Sequence, residues 1–350
     1  MQTSVQHPSA AAGARPSTSP AGHRWMPTAL ALSAVVALAA VRLLDPMRGF
    51  DASDALSDWV TLSLSVLVES LPFVVLGIVV AIALRVWLPQ GLLLERLPRS
   101  GVARRLVISL MGVLLPVCEC GNVPVSRGFL LRGLGVGDAL TFLVAAPVVN
   151  PVTIITTYQA FGFDDGVLVT RGLGALAIAN LVGWLFSLHP QPERLLAPGF
   201  AAQCRVAGAE RVSNSLIGRL RASGGIFRHE TADMMAALVM GAAIAGGIQV
   251  FVPRSTLIAL GGDPLWSVLA LMALAFIVSI CSNVDAFFVL AFASVALPGG
   301  IVAFLIFGAI VDVKMLALLR TTLSGRALAL LTTVVTLATL LIGLGVNALV

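Results

Sequence analysis

The residues of this chain that are best suited to chemistry lie in one short run between two prolines. Cys118 and Cys120 flank the carboxylate of Glu119, and the amide of Asn122 follows two residues later. Thiolates are soft ligands that prefer thiophilic species such as trivalent arsenic, copper(I) or zinc(II). Cys118 and Cys120 are therefore candidate metal or metalloid ligands. The structural alternative is that both thiols pack in the interior as small apolar groups.

Polar residues of the same types interrupt three further apolar stretches. Cys281, Asn283 and Asp285 form one group, Asn150 stands between two prolines, and Asp312 lies in a third stretch. At membrane depth, such interruptions are tolerated only where the broken backbone faces protein or a wet cavity. These five residues are hence candidates, like the four residues of the first run, for a substrate site or pathway.

Helix formation offers a simpler role for the amide and carboxyl groups. Asn122 and Asn283 are candidates to cap the helices that follow them, a role that is compatible with substrate binding. Asn150 and Asp312 lie near the middle of apolar spans, where the alternative to substrate binding is a hydrogen bond between neighbouring helices. Lys314 follows Asp312 by two residues, so in a helix these two side chains would point to different faces.

Two further acids are candidates for coupling transport to a proton or another cation. Glu69 lies about ten residues into an apolar span, and Asp233 opens another. Ionisable groups inside a membrane span are functional by default. For Asp233 the alternative is a favourable contact with the positive end of its own helix.

The composition indicates a membrane protein. Of the 350 residues, 58% are hydrophobic and 11% are charged, whereas soluble domains have about 25% charged residues. Several apolar runs reach the roughly 20 residues that a helix needs to cross a bilayer. The net charge of +5 does not indicate nucleic-acid binding, because the arginines lie in short loops between these runs. No histidine pair has metal-ligand spacing and no nucleotide-binding loop is present, so we expect neither a cofactor nor an enzyme.

The chain divides into five segments. Residues 1–24 are expected to be a disordered cytoplasmic tail, and residues 25–57 an uncleaved N-terminal transmembrane helix with an external loop. Residues 58–190 and 230–350 would form two permease repeats, separated by a cytoplasmic loop at residues 191–229.

Arginine placement orients these segments in the plasma (inner) membrane. The arginine-rich loops at residues 96–105 and 191–229 should be cytoplasmic. The N-terminus is then cytoplasmic and the C-terminus external, and residues 106–134 must form a hairpin that enters and leaves on one face. Arg127 would lie near the cytoplasmic face, and Arg171 would extend to the outer face.

Positions in the first half of the chain recur in the second half in the same order. Because the charge count gives the two halves opposite directions across the membrane, the repeats are predicted to be inverted. The fold class predicted is an all-α polytopic membrane protein with two inverted-topology repeats, each with a membrane hairpin, plus one extra N-terminal transmembrane helix. The paired positions are Glu69 and Asp233, Gly77 and Gly241, Cys120 and Cys281, and Asn150 and Asp312.

Two of these motifs carry a family resemblance. Residues 116–124 (PVCECGNVP) and 142–151 (FLVAAPVVNP) resemble the predicted-permease family that includes the ArsP-type organoarsenical efflux permeases. The resemblance covers roughly residues 58–345 and implies an inner-membrane permease. In the characterised branch it implies export of trivalent methylated arsenicals. Glu119 stands where that branch has a small residue, so the chain is most similar to the CECG-motif branch, some of whose members look linked to metal homeostasis.

Two functions from different classes follow. The first is a secondary transporter for a small thiophilic solute, such as a trivalent metalloid or metal ion. Such a transporter would be embedded in the lipid bilayer and could have a partner subunit. The second is a membrane thiol-disulfide oxidoreductase that carries electrons through Cys118, Cys120 and Cys281. The transporter is favoured, because Cys-x-Cys differs from the Cys-x-x-Cys of thioredoxin-like redox sites.

Overall fold

The structure, a computed structural model, describes residues 54–89, 91, 95–115, 117–163, 166–207, 215–251, 263–293 and 295–349. The predicted N-terminal tail and first transmembrane helix lie outside these residues. The described part is built from thirteen α-helices. They are α1 (Asp54–Ile82), α2 (Gly101–Leu110), α3 (Glu119–Leu131), α4 (Val136–Val149), α5 (Pro151–Phe161), α6 (Val167–Ser187), α7 (Pro198–Ala207), α8 (Leu216–Phe251), α9 (Pro264–Val278), α10 (Asp285–Leu290), α11 (Pro298–Ile310), α12 (Val313–Leu319) and α13 (Gly325–Leu349).

Six stretches of these helices are long and apolar enough to cross a membrane. The prediction of an all-α polytopic membrane protein is confirmed. The stretches are Leu56–Trp87, Val136–Phe161, Val167–Ser187, Leu216–Val250, Pro298–Leu319 and Gly325–Leu349.

Two of the six stretches are broken in the middle. The α4–α5 break lies at Asn150, because Pro151 disfavours helical backbone in the residue before it. Asn150 then accepts a hydrogen bond from the backbone N–H of Val152 at 2.9 Å and caps α5. The α11–α12 break ends at Asp312, which has extended backbone and caps α12 by accepting from the N–H of Met315 at 2.6 Å. Each break therefore interrupts the helical hydrogen bonding at mid-span and places a buried polar side chain there.

The segments predicted to be the two hairpins contain α2 with α3 and α9 with α10, and the loop between the two helices of each is called its hairpin tip. At the first tip, Cys118 is the N-cap residue of α3. At the second, Ser279 ends α9 in the left-handed region, with φ of 51°. The prediction that Asn122 and Asn283 cap the following helices is wrong. Asn122 lies inside α3, and the N-cap residue of α10 is Val284.

Two glycines allow the broken elements to pack closely against long helices. A Cβ on Gly77 of α1 would lie 2.1 Å from the carbonyl oxygen of Gly121 in α3. A Cβ on Gly241 of α8 would lie 2.9 Å from the Cα of Lys314 in α12. Small residues at such crossings let backbones approach each other in membranes. The first hairpin tip and the second break are thus each held against a long helix.

Part of the segment expected to be a cytoplasmic loop is helical. Helix α7 lies within it, and α8 begins at Leu216 and continues to Phe251. Asp233 is therefore in the interior of α8, and the expectation that it lies at a helix start is wrong. The structural reason is that α8 extends well beyond the apolar part of its sequence.

Candidate functional site

A buried triad of charges lies where the first hairpin tip meets the second helix break. The ammonium Nζ of Lys314 is 3.0 Å from Oε1 of Glu119 and 3.6 Å from Oδ2 of Asp312. It also donates a hydrogen bond of 2.8 Å to the carbonyl of Ser279. All three ionic side chains are buried. With all three ionised, the triad keeps one uncompensated negative charge.

Glu119 also joins the first hairpin tip to the second. Its Oε2 accepts hydrogen bonds from the Ser282 hydroxyl at 3.0 Å and from the Ser282 N–H at 3.4 Å. The thiol of Cys281 donates to the same oxygen at 3.7 Å. One carboxylate therefore connects α3, the loop before α10 and, through Lys314, the start of α12.

Three buried thiols surround this carboxylate. Cys118, Cys120 and Cys281 are free cysteines, and the thiol of Cys118 lies within hydrogen-bonding reach of the other two. Ligand atoms of Cys118, Glu119 and Cys120 all lie within 4.8 Å of one another. Two thiolates on one ion are about 4.6 Å apart at most, at about 2.3 Å each. The group is thus close to the geometry that a soft ion needs.

The fourth cysteine is separate from this group. Cys204 is half-buried in α7, outside the membrane-spanning stretches. Burial raises the pKa of its thiol, so it is mostly protonated at neutral pH. It serves below as a control position.

Two amides converge on one carbonyl beside the thiols. Asn122 and Asn150 donate hydrogen bonds to the carbonyl of Val117 at 3.3 Å and 3.2 Å. Within the described residues, Oδ1 of Asn122 is fully buried and has no hydrogen-bond partner. Asn283 accepts a hydrogen bond from Thr153 of α5 at 3.2 Å. The first break and both hairpin tips are therefore linked by amide contacts.

A buried ion pair lies next to this site. Both guanidinium Nη atoms of Arg171 in α6 contact the carboxylate of Asp285 at the start of α10, at 3.0 Å and 2.6 Å. Arg171 also donates to the hydroxyl of Thr157 at 2.7 Å and to the carbonyl of Ser282 at 3.4 Å. The expectation that Arg171 extends to the outer face is wrong, because Asp285 holds it inside the protein.

A second cluster of charges lies further along α3. The Nε of Arg127 is 2.9 Å from Glu230, and its Nη2 is 3.2 Å from Asp233, both in α8. Arg85 contacts the other oxygen of Glu230 at 3.2 Å. Arg127 lies about 12 Å along α3 from Glu119, at about 1.5 Å per residue. Asp233 thus belongs to this second cluster, and the structure does not bring it to the thiols.

The other coupling candidate also lies outside the triad. Glu69 in α1 is half-buried. None of the ion pairs among the described residues includes it. It lies one helical turn before Phe73, whose carbonyl abuts Gly121 at the first hairpin tip.

Three residues with close contacts at the site were not candidates from the sequence. Lys314 was expected on a different helix face from Asp312, which is wrong, because Asp312 precedes the helix as its extended N-cap residue. The signal available for Lys314 was its position as the single lysine of the chain, inside an apolar span. Arg171 offered a similar signal, as a charged residue inside the apolar span at residues 167–188, whereas Ser282 offers none.

The chain matches the family model described as predicted permease, ArsP_1, over residues 55–348. It belongs to this permease family. The match includes both hairpins, both breaks and the charged triad.

Two curated relatives match this permease over most of their length. It is 33% identical over 273 residues to the UPF0718 protein YcgR of Bacillus subtilis, covering 77% of this chain and 90% of that protein. It is 30% identical over 261 residues to a candidate subunit of a two-component membrane permease complex from Streptococcus mutans, covering 73% and 84%. No solved structure matches this chain.

Proposed function

We propose that this permease is a secondary transporter that moves a small thiophilic solute, a metal ion or a trivalent metalloid, across the plasma membrane. The observation that carries the proposal is the meeting of three buried thiols with Glu119 at the point where broken helices and hairpin tips converge. Discontinuous helices at mid-membrane are where transporters bind their substrates. Thiols and a carboxylate are the donor set that a soft cation or thiophilic centre prefers.

The charges of the site favour a cation or a neutral metalloid as cargo. Glu119 and Asp312 contribute two negative charges and Lys314 one positive charge, so an oxyanion would meet net repulsion. Asn122, Asn150 and Asn283 would complete the lining of the pathway with neutral dipoles. A trivalent organoarsenical, the cargo of the characterised branch, belongs to this class, and so does a metal ion, which would fit the link of some CECG-motif members to metal homeostasis.

Transport of this kind is expected to use inverted repeats. The proposal is supported by the pairing of Gly77 with Gly241 at close helix crossings, and of Asn150 with Asp312 as caps at the two breaks. In this arrangement the N-terminus is cytoplasmic and the C-terminus is external. Glu69 and Asp233 remain the candidates for coupling to a proton or cation.

The proposal leaves room for a partner subunit. One relative is named as a candidate subunit of a two-component complex, and this chain would then supply the membrane pathway. The oxidoreductase alternative is less well supported, because the relatives are named as permeases or by family only. No catalytic residue is proposed.

Flux measurements in proteoliposomes test the proposal. The purified permease should transport copper(I), silver(I) or a trivalent methylarsenical, and the double variant Cys118→Ser with Cys120→Ser should lose that flux. Cys204→Ser is the matched control and should transport normally, because Cys204 lies outside the site. Unchanged flux in the double variant would reduce both cysteines to packing residues.

A further inference from the structure

Lys314 is a buried cation whose position is hard to explain by stability alone. Its side chain is fully buried, and burying a charge costs several kcal/mol unless it is well paired. A buried ion pair is often no more stable than apolar residues of the same volume. The three partners of its ammonium are Glu119, Asp312 and the carbonyl of Ser279.

The backbone around Lys314 is fixed, whereas its side chain is long. Gly241 of α8 packs against the Cα of Lys314, so α12 has little freedom to shift there. The four-carbon side chain carries rotatable bonds that let the ammonium leave its partners without movement of the helix. Ser279, which accepts its hydrogen bond, has a positive φ, and such backbone strain gathers at functional sites.

The ammonium lies next to the position that a cationic cargo would take. It lies between the two carboxylates of the site, and one of them, Glu119, also contacts Cys281 and belongs to the group formed with Cys118 and Cys120. A cation that binds to these thiols and to Glu119 would meet repulsion from Lys314 a few ångströms away. The cation and the ammonium therefore compete for the same carboxylate.

We infer that Lys314 is a tethered counter-ion that sets the charge selectivity of the site: it neutralises Glu119 and Asp312 when no cargo is bound, and a cationic cargo must displace it. The inference rests on the proposed function of the site as a cation pathway. A tethered counter-ion would let the carrier reorient without cargo, because the carboxylates of Glu119 and Asp312 stay neutralised by Lys314 when no cargo is bound. It also excludes cations that bind too weakly to displace the ammonium.

The test compares wild type with Lys314→Met and Lys314→Arg in lipid nanodiscs. Copper(I) affinity is measured by competition with a chromophoric copper(I) chelator. Lys314→Met should bind copper(I) at least about tenfold more tightly, because a nearby unit charge has been removed. Lys314→Arg keeps the charge and should bind no more tightly than wild type. If wild type binds copper(I), equal or weaker binding by Lys314→Met overturns the inference.

A second measurement separates this inference from the proposed cargo. Unfolding temperatures are compared in sodium, potassium and choline chloride at equal ionic strength. Lys314→Met should be stabilised by the small cations relative to choline, since its two carboxylates lack a counter-ion, and wild type should not. If neither protein binds copper(I) but Lys314→Met gains this dependence, the thiophilic cargo is contradicted and the counter-ion role is supported. If neither measurement distinguishes the two proteins, the counter-ion role is overturned.

The same comparison can be made with a smaller charge imbalance. If Lys314→Met is not recovered as folded protein, the Asp312→Asn background leaves only one carboxylate to neutralise. Adding Lys314→Met to Asp312→Asn should again tighten copper(I) binding by about tenfold or more. A double variant that binds no more tightly than Asp312→Asn alone overturns the inference.

Discussion

Arg171 and Asp285 form a bidentate ion pair inside the protein, with Nη–Oδ distances of 3.0 Å and 2.6 Å. The pair joins α6 to the start of α10. Arg171 also donates to the carbonyl of Ser282, and the hydroxyl of Ser282 donates to Glu119. The second hairpin tip is thus held in place by a contact that lies beside the thiols. Its strength should set how firmly that tip is positioned.

Breaking this pair on one side should destabilise the permease. Arg171→Met leaves the carboxylate of Asp285 buried and unpaired, which costs about 3–5 kcal/mol. Arg171→Met combined with Asp285→Asn removes both charges and should recover much of the loss. The unfolding temperature in detergent measures both effects. A double variant as unstable as the single one would show that the charge itself is not the cause.

The close crossing of α1 and α3 should not tolerate a methyl group. A Cβ at Gly77 would lie 2.1 Å from the carbonyl oxygen of Gly121, so Gly77→Ala should sharply reduce the yield of folded protein. Gly172→Ala is the control, because a Cβ at Gly172 meets no atom within 4 Å. Yield and monodispersity in size-exclusion chromatography provide the measurement. Normal yield of Gly77→Ala would contradict the packing described above.

Thiol labelling should separate Cys204 from the three cysteines of the site. A maleimide should modify Cys204 first, because it is half-buried and the other three are buried. Since burial raises the pKa of the Cys204 thiol, its labelling rate should rise with pH, about tenfold per pH unit as long as the pH is below that pKa. Mass spectrometry identifies the modified residues. Silver(I) should protect the three slowly labelled cysteines of the site from the maleimide and leave Cys204 reactive. Equal protection of all four cysteines would contradict a specific site.

Reporter fusions test the topology that the arginines indicate. A fusion at Ser213 should report the cytoplasm, and a fusion at Val350 should report the outside. Both positions lie outside the described residues, so the prediction depends on charge alone. If both reporters lie on one side of the membrane, the inverted-repeat hypothesis fails.

Glu69→Gln tests whether the acid of α1 couples transport to protons. A carboxyl group in a membrane span can exchange a proton during the cycle, so the variant should lose proton-driven flux while folding normally. Counterflow of cargo without a proton gradient should persist. A well-folded variant with full proton-driven flux would reduce Glu69 to a packing residue.

Residue types and their order in the chain were sufficient to predict the class of the protein and to name many of the residues that the structure brings together at the candidate site. The apolar runs predicted the membrane helices, because a helix is the one way to satisfy backbone polar groups in lipid without a closed barrel. The cost of placing Cys118, Glu119, Asn150 or Asp312 in such runs marked them as candidates. These inferences depend only on the local sequence and on the fact that the surrounding solvent is a lipid bilayer.

The tertiary structure decided which candidates meet. Glu119 contacts Lys314 and Cys281 because the first hairpin tip, the second tip and the second break pack together, and sequence spacing does not encode that contact. The roles of Lys314 and Arg171 depended on two local events that periodicity does not predict. Asp312 left the helix to cap it, and Asp285 held an arginine that would otherwise extend to water. Long-range packing therefore determined the electrostatics of the site, because a buried charge is stable only beside partners that come from other segments of the chain.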